Sequence, residues 1–575
     1  MNKWMICVLW MCICAMPSVA RRTKELSAGK LLVPSEREEG DSLATDVLTD
    51  VSCLVDGSPS RPDSLSVDSL RKDWLRKSRT LHISTCYSDM LNNDHPLRRK
   101  PWVAAAQIAI VNVGLLAFDR YVLQEPFAHV TTETVWRNVR FKALFWDCDN
   151  LPTNYYYHPY HGSIYYNAAR SNGMNVWQSA ALSIGGNLMW EIAGEMEPIS
   201  YNDLISTSFG GIVFGEITHR LSDIILDETT EGFERVVREV AGGAVNPMRG
   251  VNRLLQGRSW KSCPRQMRVI PPRFKVSLKM GWRHIDVRSR HFGENPGTQL
   301  PAILPASGLS QVPPGNRAAV GEATHDSPFI DLDVDYGDPV TAHSCTHPYD
   351  FFRFSMSVTP AKGQPIVSRF NIMGRISSVA LSKKGWRWEG GLYQHFNYLN
   401  SESMTNGVSP YRFVEAASIG LGTVGEAGSA STVLYRQECH VSGMMLGAVI
   451  TDYPDNLLEK DYSNGSGFTC KWHSLLSIRN SLNVAFAAEY YRYFVWKDYS
   501  EIDLSAEPGT WSAQGDAGVT GLWQVSLGVD ARLYRRLGLS FTGRYFGRHS
   551  RYDHHSDIHS RTWDVRLGLL YTLGK

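Results

Sequence analysis

The feature that most constrains this chain is a period-two alternation of apolar and polar side chains, which runs from about Pro271 to the last residue. Within residues 523–533, for example, apolar residues at odd positions alternate with polar or small residues at even positions. Successive side chains of a β-strand point to opposite faces, so this pattern predicts strands with one apolar face and one polar face. The C-terminal half of the chain is therefore predicted to be built from strands.

The alternating segments number about twelve, and each is near the roughly nine to eleven residues that a tilted strand needs to cross a bilayer. An even count suits a closed antiparallel barrel. The segments start near Phe274, Pro328, Tyr349, Val367, Gly385, Phe413, Thr432, Phe468, Leu482, Gly521, Gly538 and Arg561. The sequence therefore predicts an antiparallel transmembrane β-barrel of about twelve strands.

The connections between these segments fall into two classes that broadly alternate along the chain. Tight connections lie at 383–384, 479–481 and 535–537, and long ones at 286–326, 451–467 and 497–520. Short turns at one rim and long loops at the other are typical of membrane barrels. A soluble β-sandwich or barrel also alternates, but the loop asymmetry, the export signal described next and charges of both signs on the polar faces favour the membrane barrel.

The N-terminus predicts export to the cell envelope. Lys3, an apolar stretch over residues 4–16 and small residues ending at Ala20 have the layout of a secretory signal peptide. The polar, Pro-containing sequence that follows predicts a disordered linker. The predicted domains are a signal peptide at 1–20, a linker at 21–81, a helical domain at 82–262 and an outer-membrane barrel at 263–575. The predicted fold class is α+β.

Composition narrows the possible partners. The formal net charge is +2 at pH 7, which gives no reason to expect a nucleic-acid partner. Three of the ten cysteines fall in the predicted signal and the others are scattered, so neither a disulfide framework nor a zinc site is predicted. The most apolar helix candidate, at 102–118, is interrupted by Gln107 and Asn112 and is predicted to be buried or interfacial.

The helical region carries a cluster of polar residues. Side chains four residues apart from Ser179 to Glu195 form one polar stripe on a predicted helix. A hairpin at Pro198 would return a second carboxylate-bearing helix against the first, and Ser200 with Asp203 matches a helix-capping pattern. The candidate cluster comprises His158, His161, Arg170, Glu191, Glu195, Asp203, Glu216 and Arg220.

This cluster has three interpretations. In the structural one, Arg170 and Arg220 neutralise Glu191, Glu195 and Asp203 within a buried polar network. In the others it binds a small-molecule or lipid ligand, or its carboxylates and histidines act as acid and base. No nucleophile motif or phosphate loop accompanies it, so no catalytic residue, cofactor or metal ion is assigned. A histidine-containing loop at 549–559 is a weaker metal candidate, because its spacing matches no defined motif.

The same region contains a series of motifs, His-Pro-Tyr-x-Gly, Ala-Arg-Ser-x-Gly, Trp-Glu-x-x-x-Glu and Ser-x-x-Asp. On these motifs the chain resembles, over roughly residues 100–245, an uncharacterised family of envelope proteins from Bacteroides-type bacteria that is known only as a domain of unknown function. The resemblance implies an outer-membrane protein with a barrel-like C-terminal half, and it implies no activity. It adds Pro159, Gly162, Tyr166, Gly173, Trp190 and Ser200 to the candidate positions.

Three functions fit this interpretation. The first is transport or envelope organisation by a barrel whose helical domain plugs or caps its mouth, with unlike charges pairing across the lumen. The second is a lipid- or glycan-modifying enzyme that uses His158, Glu191, Glu195 and Asp203. The third is a binding or scaffold protein. The expected partners are outer-membrane lipid and a small-molecule or lipid ligand, without nucleic acid.

Overall fold

A computed structural model describes residues 80–81, 99–141, 144–260, 268–269, 273–291, 321–340, 347–361, 364–383, 385–401, 409–429, 431–455, 460–498 and 512–574. The predicted signal peptide and nearly all of the predicted linker lie outside the described residues, so both stay predictions.

The C-terminal half forms a closed barrel of twelve antiparallel strands. Each strand pairs with its neighbours in sequence, and the last returns to pair with the first, so the sheet has no free edge. The strands are β1 Phe274–His291, β2 Gly321–Tyr336, β3 Phe352–Val358, β4 Val367–Lys383, β5 Trp386–Asn400, β6 Arg412–Gly428, β7 Val433–Asp455, β8 Lys460–Ile478, β9 Leu482–Val495, β10 Gly518–Tyr534, β11 Leu537–Tyr552 and β12 Ile558–Gly574. The predicted α+β class with a twelve-stranded barrel is confirmed.

The strands are longer than predicted. The longest, β7, has 23 residues, and among the others only β3, with 7 residues, is shorter than the 14 residues of β9. The prediction that 451–467 is a long loop is wrong, because β7 continues to Asp455 and β8 begins at Lys460. Strands of this length exceed the roughly nine to eleven residues that a bilayer requires, so part of the wall projects beyond a zone of bilayer thickness.

The connections divide the barrel into two rims. Tight turns join β4 to β5, β6 to β7, β8 to β9 and β10 to β11 at one rim, where the chain also enters β1, leaves β12 and makes the longer β2–β3 connection. Each of these four turns uses left-handed backbone, at Gly385 with φ 84°, Gly428 with φ 84°, Arg479 with φ 48° and Arg535 with φ 49°. We call this the turn rim and the opposite one the loop rim.

The polar strand faces point into the barrel, where their side chains meet across the interior. Arg353 on β3 donates to Glu438 on β7 at 2.6 Å, although β4, β5 and β6 separate these strands along the wall. The rings of Phe413 on β6 and Phe546 on β11 lie 6.2 Å apart. Such contacts can form only through the lumen, so side chains fill it at both levels.

The described part of the N-terminal half is helical. Its helices are α1 Pro101–Phe118, α2 Thr132–Val139, α3 His158–Arg170, α4 Val176–Ala193, α5 Tyr201–Ile205, α6 Gly211–Ile225, α7 Gly232–Val245 and α8 Pro247–Leu255. Short π-helical segments extend α1 over Asp119–Leu123, precede α3 over Thr153–Tyr157 and join α5 to α6 over Ser206–Gly210. We call residues 99–260 the helical domain.

Four of these helices run up and down between the two rims. Arg220, near the end of α6, donates to the carbonyl of Pro348 in the β2–β3 connection at the turn rim, at 2.9 Å. Tyr155, just before α3, hydrogen-bonds Asn464 near the loop-rim end of β8. The start of α1 is hydrogen-bonded to residue 172, just beyond the end of α3. Thus α3 and α6 descend from the loop rim, and α1 and α4 ascend from the turn rim.

The helical domain packs against the outer face of the barrel. The ring of Phe214 on α6 lies 4.2 Å from that of Phe370 and 4.9 Å from that of Phe396. The residue before Phe370 on β4, Arg369, faces the lumen and contacts Asp331 at 3.4 Å. Adjacent side chains of a strand point to opposite faces, so Phe370 points outward. Other outward-facing residues buried in the same contact are Val334, Tyr336, Phe352, Phe354, Ile372, Tyr398, Val414, Ala448 and Tyr462.

This placement differs from the prediction that the helices plug or cap the barrel. The lumen is occupied by strand side chains, and the helices lie along the wall. The physical reason is that an apolar strand face can be covered by an apolar helix as well as by lipid. Burying one large aromatic or aliphatic side chain contributes roughly 1.5–3 kcal/mol, so a contact of this size holds the helical domain firmly to the wall.

Candidate functional site

The structure separates the predicted polar cluster into two groups near opposite ends of the helical domain. We call Arg170, Glu216 and Arg220, near the turn rim, the Arg–Glu network. We call His158, His161, Glu191, Glu195 and Asp203, near the loop rim, the acid–imidazole centre. The two groups differ in how their charges are compensated.

In the Arg–Glu network one buried carboxylate serves two buried guanidinium groups. Arg170 Nε and Nη2 donate to Glu216 Oε2 and Oε1 at 2.8 and 3.1 Å, and Arg220 Nε donates to Glu216 Oε1 at 2.8 Å. Tyr166 OH adds a hydrogen bond to Glu216 Oε2 at 2.7 Å. Glu216 and Arg220 are one helical turn apart on α6 and form an ion pair. The network ties α3 to α6 and, through Arg220, to the barrel, which is a structural role.

The prediction that Arg170 and Arg220 neutralise Glu191, Glu195 and Asp203 is wrong. Helices α3 and α4 are antiparallel, so Arg170 at the end of α3 lies beside the beginning of α4. Glu191 lies far along α4, about 22 Å from its start at a rise of ~1.5 Å per residue. The arginines therefore meet Glu216, and the three acidic residues are left without them.

The three carboxyl groups of the acid–imidazole centre make hydrogen bonds but no ion pair with arginine or lysine among the described residues. Glu191 Oε2 accepts from the backbone N–H of Ser200 at 2.9 Å, while its buried Oε1 has no hydrogen-bond partner. Glu195 Oε1 accepts from the indole N–H of Trp190 at 2.6 Å. A buried carboxylate without a counter-ion is costly, so these groups are not explained by stability.

The two imidazoles lie on the α3 side of the centre. His158 Nε2 is 3.7 Å from Asp203 Oδ1. His161 Nε2 lies 2.6 Å from the hydroxyl of Tyr165, and its ring meets that of Trp190 edge-on at 5.2 Å. The centre therefore brings together carboxyl groups from α5 and from the C-terminal end of α4 with imidazoles from α3.

Burial changes the acidity of the two carboxyl groups in the connection between α4 and α6. It raises the pKa of Glu195 well above its ordinary value, with a further contribution from the nearby Asp203 carboxyl group. It raises the pKa of Asp203 likewise, and Asp147 adds to the effect. Carboxyl groups that resist ionisation can donate a hydrogen bond to a hydroxyl or carbonyl oxygen.

Sequence reasoning missed several polar groups around the centre. Asp147 follows the short strand Leu144–Phe145, and its backbone N–H donates to Asn202 Oδ1 at 2.8 Å. Among the residues that the structure describes, none hydrogen-bonds the buried Asn187 Oδ1, Ser206 Oγ or Thr207 Oγ1. The last two lie in a π-helical segment, a widened turn that is frequent at functional sites. A π-helical segment has no sequence signature, but Asn187 belongs to the predicted stripe.

The positions added by the motif resemblance mainly hold the helices together. A Cβ on Gly162 would lie 2.0 Å from the carbonyl oxygen of Thr207, so α3 can approach α6 this closely only with glycine there. Gly173 has φ 82° and ends the turn after α3. Ser200 Oγ accepts from the N–H of Asp203 at 3.2 Å, which confirms the predicted cap. Pro159 packs against Gly210.

The histidines of the 549–559 loop have separate partners. His554 Nε2 is 3.3 Å from Asp498, and His555 Nε2 is 3.6 Å from Asp516. The His549 and His559 rings stack at 5.3 Å. Within the described ranges, no group of three or more His, Cys, Asp or Glu side chains is arranged to hold a metal ion.

The motif region also matches a known protein family. Residues 143–248 match DUF3943, a domain of unknown function. The matched segment contains all eight residues of the predicted cluster and ends within α8, so both the Arg–Glu network and the acid–imidazole centre lie in the part of the chain that is similar to DUF3943. The Bacteroides-type origin implied by the motifs stays a prediction.

No curated protein matches the sequence. Among solved structures, the toluene transporter TodX of Pseudomonas putida is 8% identical, with 52% of this chain and 89% of that chain covered and a TM-score of 0.19. An outer membrane channel from Pseudomonas putida F1 is 7% identical, with 53% and 97% covered and a TM-score of 0.24. The outer membrane protease OmpT from Escherichia coli is 8% identical, with 53% and 97% covered and a TM-score of 0.18. These resemblances carry no conclusion about what this chain does.

Proposed function

We propose that this protein is an outer-membrane barrel that serves as a closed anchor, meaning a barrel without an open pore that holds the helical domain at the membrane. We propose further that the DUF3943-like region binds the polar headgroup of an amphiphile at the acid–imidazole centre. The observation that carries the proposal is a buried set of carboxyl groups, without arginine or lysine partners, where helix ends meet the barrel wall. Buried polar groups that do not add stability are candidates for function.

Membrane placement is supported by the outer face of the barrel. Where helices do not cover it, the wall exposes large apolar side chains, such as Trp282 on β1, Val441 on β7 and Leu567 on β12. Membrane barrels place short turns in the periplasm and longer loops outside. On that orientation the acid–imidazole centre, near the loop rim, lies at the level of the outer leaflet.

The packed lumen supports an anchor rather than an open pore. The Arg353–Glu438 and Phe413–Phe546 contacts cross the interior at two different levels. We expect the full-length protein, reconstituted in planar bilayers, to give no steady conductance. Discrete, voltage-stable channel openings would contradict the closed-anchor part of the proposal.

The chemistry of the centre indicates the class of headgroup. Carboxyl groups that resist ionisation donate hydrogen bonds to hydroxyl groups, and carboxylates that do ionise attract amines. A phosphate needs cations beside it, and no arginine or lysine of the described residues forms an ion pair in this centre. We therefore expect a hydroxyl- or amine-bearing headgroup, such as that of a glycolipid or an aminolipid.

Lipid recovery tests this headgroup site. The full-length protein and a Glu191→Gln/Asp203→Asn double variant are purified from outer membranes in mild detergent, and bound amphiphiles are identified by mass spectrometry. The two amides keep hydrogen-bonding capacity but lose the acidic protons and the negative charge that the proposed site uses, so retention of one hydroxyl- or amine-bearing lipid class should fall by about tenfold or more. The control is Glu234→Gln on the exposed side of α7. Identical lipid contents in the wild type and the double variant would contradict the proposal.

A lipid- or glycan-modifying activity is the second candidate, because His158 Nε2 lies 3.7 Å from Asp203 Oδ1 and both are acid–base groups. The same double variant distinguishes it from binding alone. If the centre is catalytic, cells carrying the variant should have an altered envelope lipid or glycan profile. An unchanged profile with a normally folded variant would count against catalysis.

A further inference from the structure

We infer that the outer face of the helical domain contacts the acyl chains of the bilayer, so that its helices replace lipid along one side of the barrel. The inference rests on the membrane placement of the barrel in the proposed function, but not on the headgroup site. It assigns an interaction surface, and lipid as its partner, to helices that would otherwise be expected to lie in water.

A lipid-contacting helical surface is expected because helices cover part of the apolar outer face of the barrel. Its outward-facing apolar side chains are exposed on β12, for example at Leu567 and Leu569, but buried beneath helices on β3 and β4, for example at Phe354 and Ile372. A barrel in a membrane needs an apolar belt around its whole circumference. Where helices cover the wall, they stand in the place of lipid, and the belt can continue only on their own outer face.

Helix α1 has the apolar exterior that this requires. Trp102, Ile110 and Val113 are 86%, 59% and 67% exposed, whereas its polar Asn112 is buried and donates to the carbonyl of Gly186 at 3.0 Å. The buried side holds Asn112 beside the apolar Ala104, Ile108 and Leu115, so α1 is largely apolar on both sides, whereas a helix of a water-soluble bundle has a polar outer face. The helix was predicted to be buried or interfacial, and its outer face is not buried within the described structure.

The length of α1 also fits a bilayer. The helical stretch Pro101–Leu123 has a mean hydropathy of 1.7, is only 22% buried, and is long and apolar enough to cross a membrane by length and composition. At ~1.5 Å per residue, the 18 residues of α1 span about 27 Å, near the ~30 Å of a hydrocarbon core. The helix ascends from the turn rim toward the loop rim, which is the direction that crosses the bilayer.

Exposed aromatic residues lie at both ends of this helical surface. Trp102 and Trp177, at the starts of α1 and α4, lie toward the turn rim. Tyr121, beyond the end of α1, and Trp136 on α2 lie toward the loop rim, where the next residue, Arg137, hydrogen-bonds the connection after α4. Trp and Tyr concentrate at the two interfaces of a bilayer. The helices therefore extend the aromatic girdles expected of the barrel.

Helix α7 has the residue pattern of a helix that lies in the interface between membrane and water. Phe233, Val236 and Val240 are exposed on it, beside an ion pair of 2.9 Å between Glu234 and Arg238. A helix with one apolar face and one charged face lies along the bilayer surface, with its apolar side in the acyl region. Because α7 follows the turn-rim end of α6, this interface is the periplasmic one.

Site-specific photocrosslinking of the full-length protein in its native outer membrane tests the inference. p-Benzoyl-phenylalanine is placed at Ile110 and, in a second variant, at Val113, and the crosslinked species are identified by mass. Leu567 on the barrel is the positive control, and the exposed Arg551, near the loop-rim end of β11, is the control outside the apolar face. We expect lipid adducts at positions 110 and 113 in at least about tenfold higher yield than at 551, because apolar helix faces are stable only in lipid or protein.

The possible outcomes separate this inference from the proposed function. Lipid adducts at Leu567 together with protein adducts, or none, at positions 110 and 113 would overturn the inference and leave the barrel in the membrane. A second copy of the chain on this face would appear as a crosslinked dimer. Absence of lipid adducts at Leu567 as well would overturn both the inference and the membrane placement on which it rests.

Discussion

The barrel lumen and the acid–imidazole centre are both buried and both rich in ionisable side chains. They differ in whether the acidic side chains have arginine or lysine partners. In the lumen, Arg566 contacts Asp331 at 2.8 Å and Asp564 at 3.0 Å. In the centre, Asp203 lies 3.7 Å from His158, and within the described ranges neither Asp203 nor Glu191 forms an ion pair with an arginine or lysine. The buried Lys460 interacts with Asp203 only at longer range. The comparison teaches that burial of charge does not by itself indicate function. The absence of a counter-ion is the informative property.

The Arg–Glu network shows that this difference also exists within the helical domain. It lies on the same helices as the centre, but its single carboxylate is shared by two guanidinium groups. We therefore interpret the charged groups of the lumen and the Arg–Glu network as the framework, meaning the groups that stabilise the fold. We interpret the acid–imidazole centre as the region that binds a ligand. The following substitutions test this distinction, from the largest expected effect to the smallest.

Replacing Arg566 with Met should have the largest effect. It leaves Asp331 and Asp564 buried without their principal cation, and breaking such a pair costs about 3–5 kcal/mol. The measurement is the urea midpoint of the protein refolded in lipid vesicles, followed by its heat-modifiable mobility on gels. Arg551→Met, at an exposed ion pair, is the control and should change the midpoint little. Equal effects of the two substitutions would remove the framework interpretation of the lumen.

Glu216→Gln should cost about 3 kcal/mol, because it leaves Arg170 and Arg220 buried with no carboxylate between them. The same urea titration measures it. The matched control is Glu234→Gln, which removes an exposed ion pair with Arg238 on α7. A small effect at Glu216 would show that the network does not hold the helices to each other.

Glu191→Gln makes the same chemical change as Glu216→Gln, but we expect the opposite sign. Glu191 has no arginine or lysine partner, and a glutamine can still accept the hydrogen bond from Ser200. The variant should match or exceed the wild type in stability by up to about 1 kcal/mol while losing the bound amphiphile. A loss as large as that of Glu216→Gln would mean that Glu191 belongs to the framework.

Glu195→Gln should have the smallest effect when measured at acidic pH, where the carboxyl group is protonated in both the folded and the unfolded chain, and a characteristic pH dependence. The raised pKa of Glu195 means that its contribution to stability is present at acidic pH and is lost as pH rises through that pKa. The urea midpoint of the wild type should therefore fall more steeply toward alkaline pH than that of the variant. Parallel pH profiles would contradict the pKa shift and its cause, burial.

The barrel was the more predictable part of the molecule because its signal is local. Alternation depends only on neighbouring residues, and starts predicted near Phe274, Val367 and Leu482 coincide with the starts of β1, β4 and β9. The interruption of the β4–β5 register between Arg375 and Ser377, and the shortness of β3, leave no such signal.

The position of the helical domain was not predictable, because an apolar strand face looks the same whether it meets lipid or helix. Phe370 and Ile372, which are covered by α6 or its neighbours, alternate with polar residues just as Leu567 and Leu569 do. Only long-range contacts distinguish them.

The pairing within the candidate cluster was not predictable from the sequence. The four-residue spacing placed Glu191 and Asn187 on one stripe, and the functional role of the cluster stays a prediction. Which carboxylate each arginine meets depends on the antiparallel direction of α3 and α4, which places Arg170 far from Glu191. Spacing along a single helix does not contain that information.

The central claim is that the helices lie on the outer wall of the barrel, and crosslinking between α6 and β4 tests it most directly. In the full-length protein with its native cysteines replaced by serine, Phe214→Cys is combined with Phe370→Cys or with Asn371→Cys. A short bismaleimide should link position 214 to the outward-facing position 370, whose ring lies 4.2 Å from that of Phe214, and not to the inward-facing position 371. Crosslinking at 371 without crosslinking at 370 would place the helices in the lumen and contradict the claim.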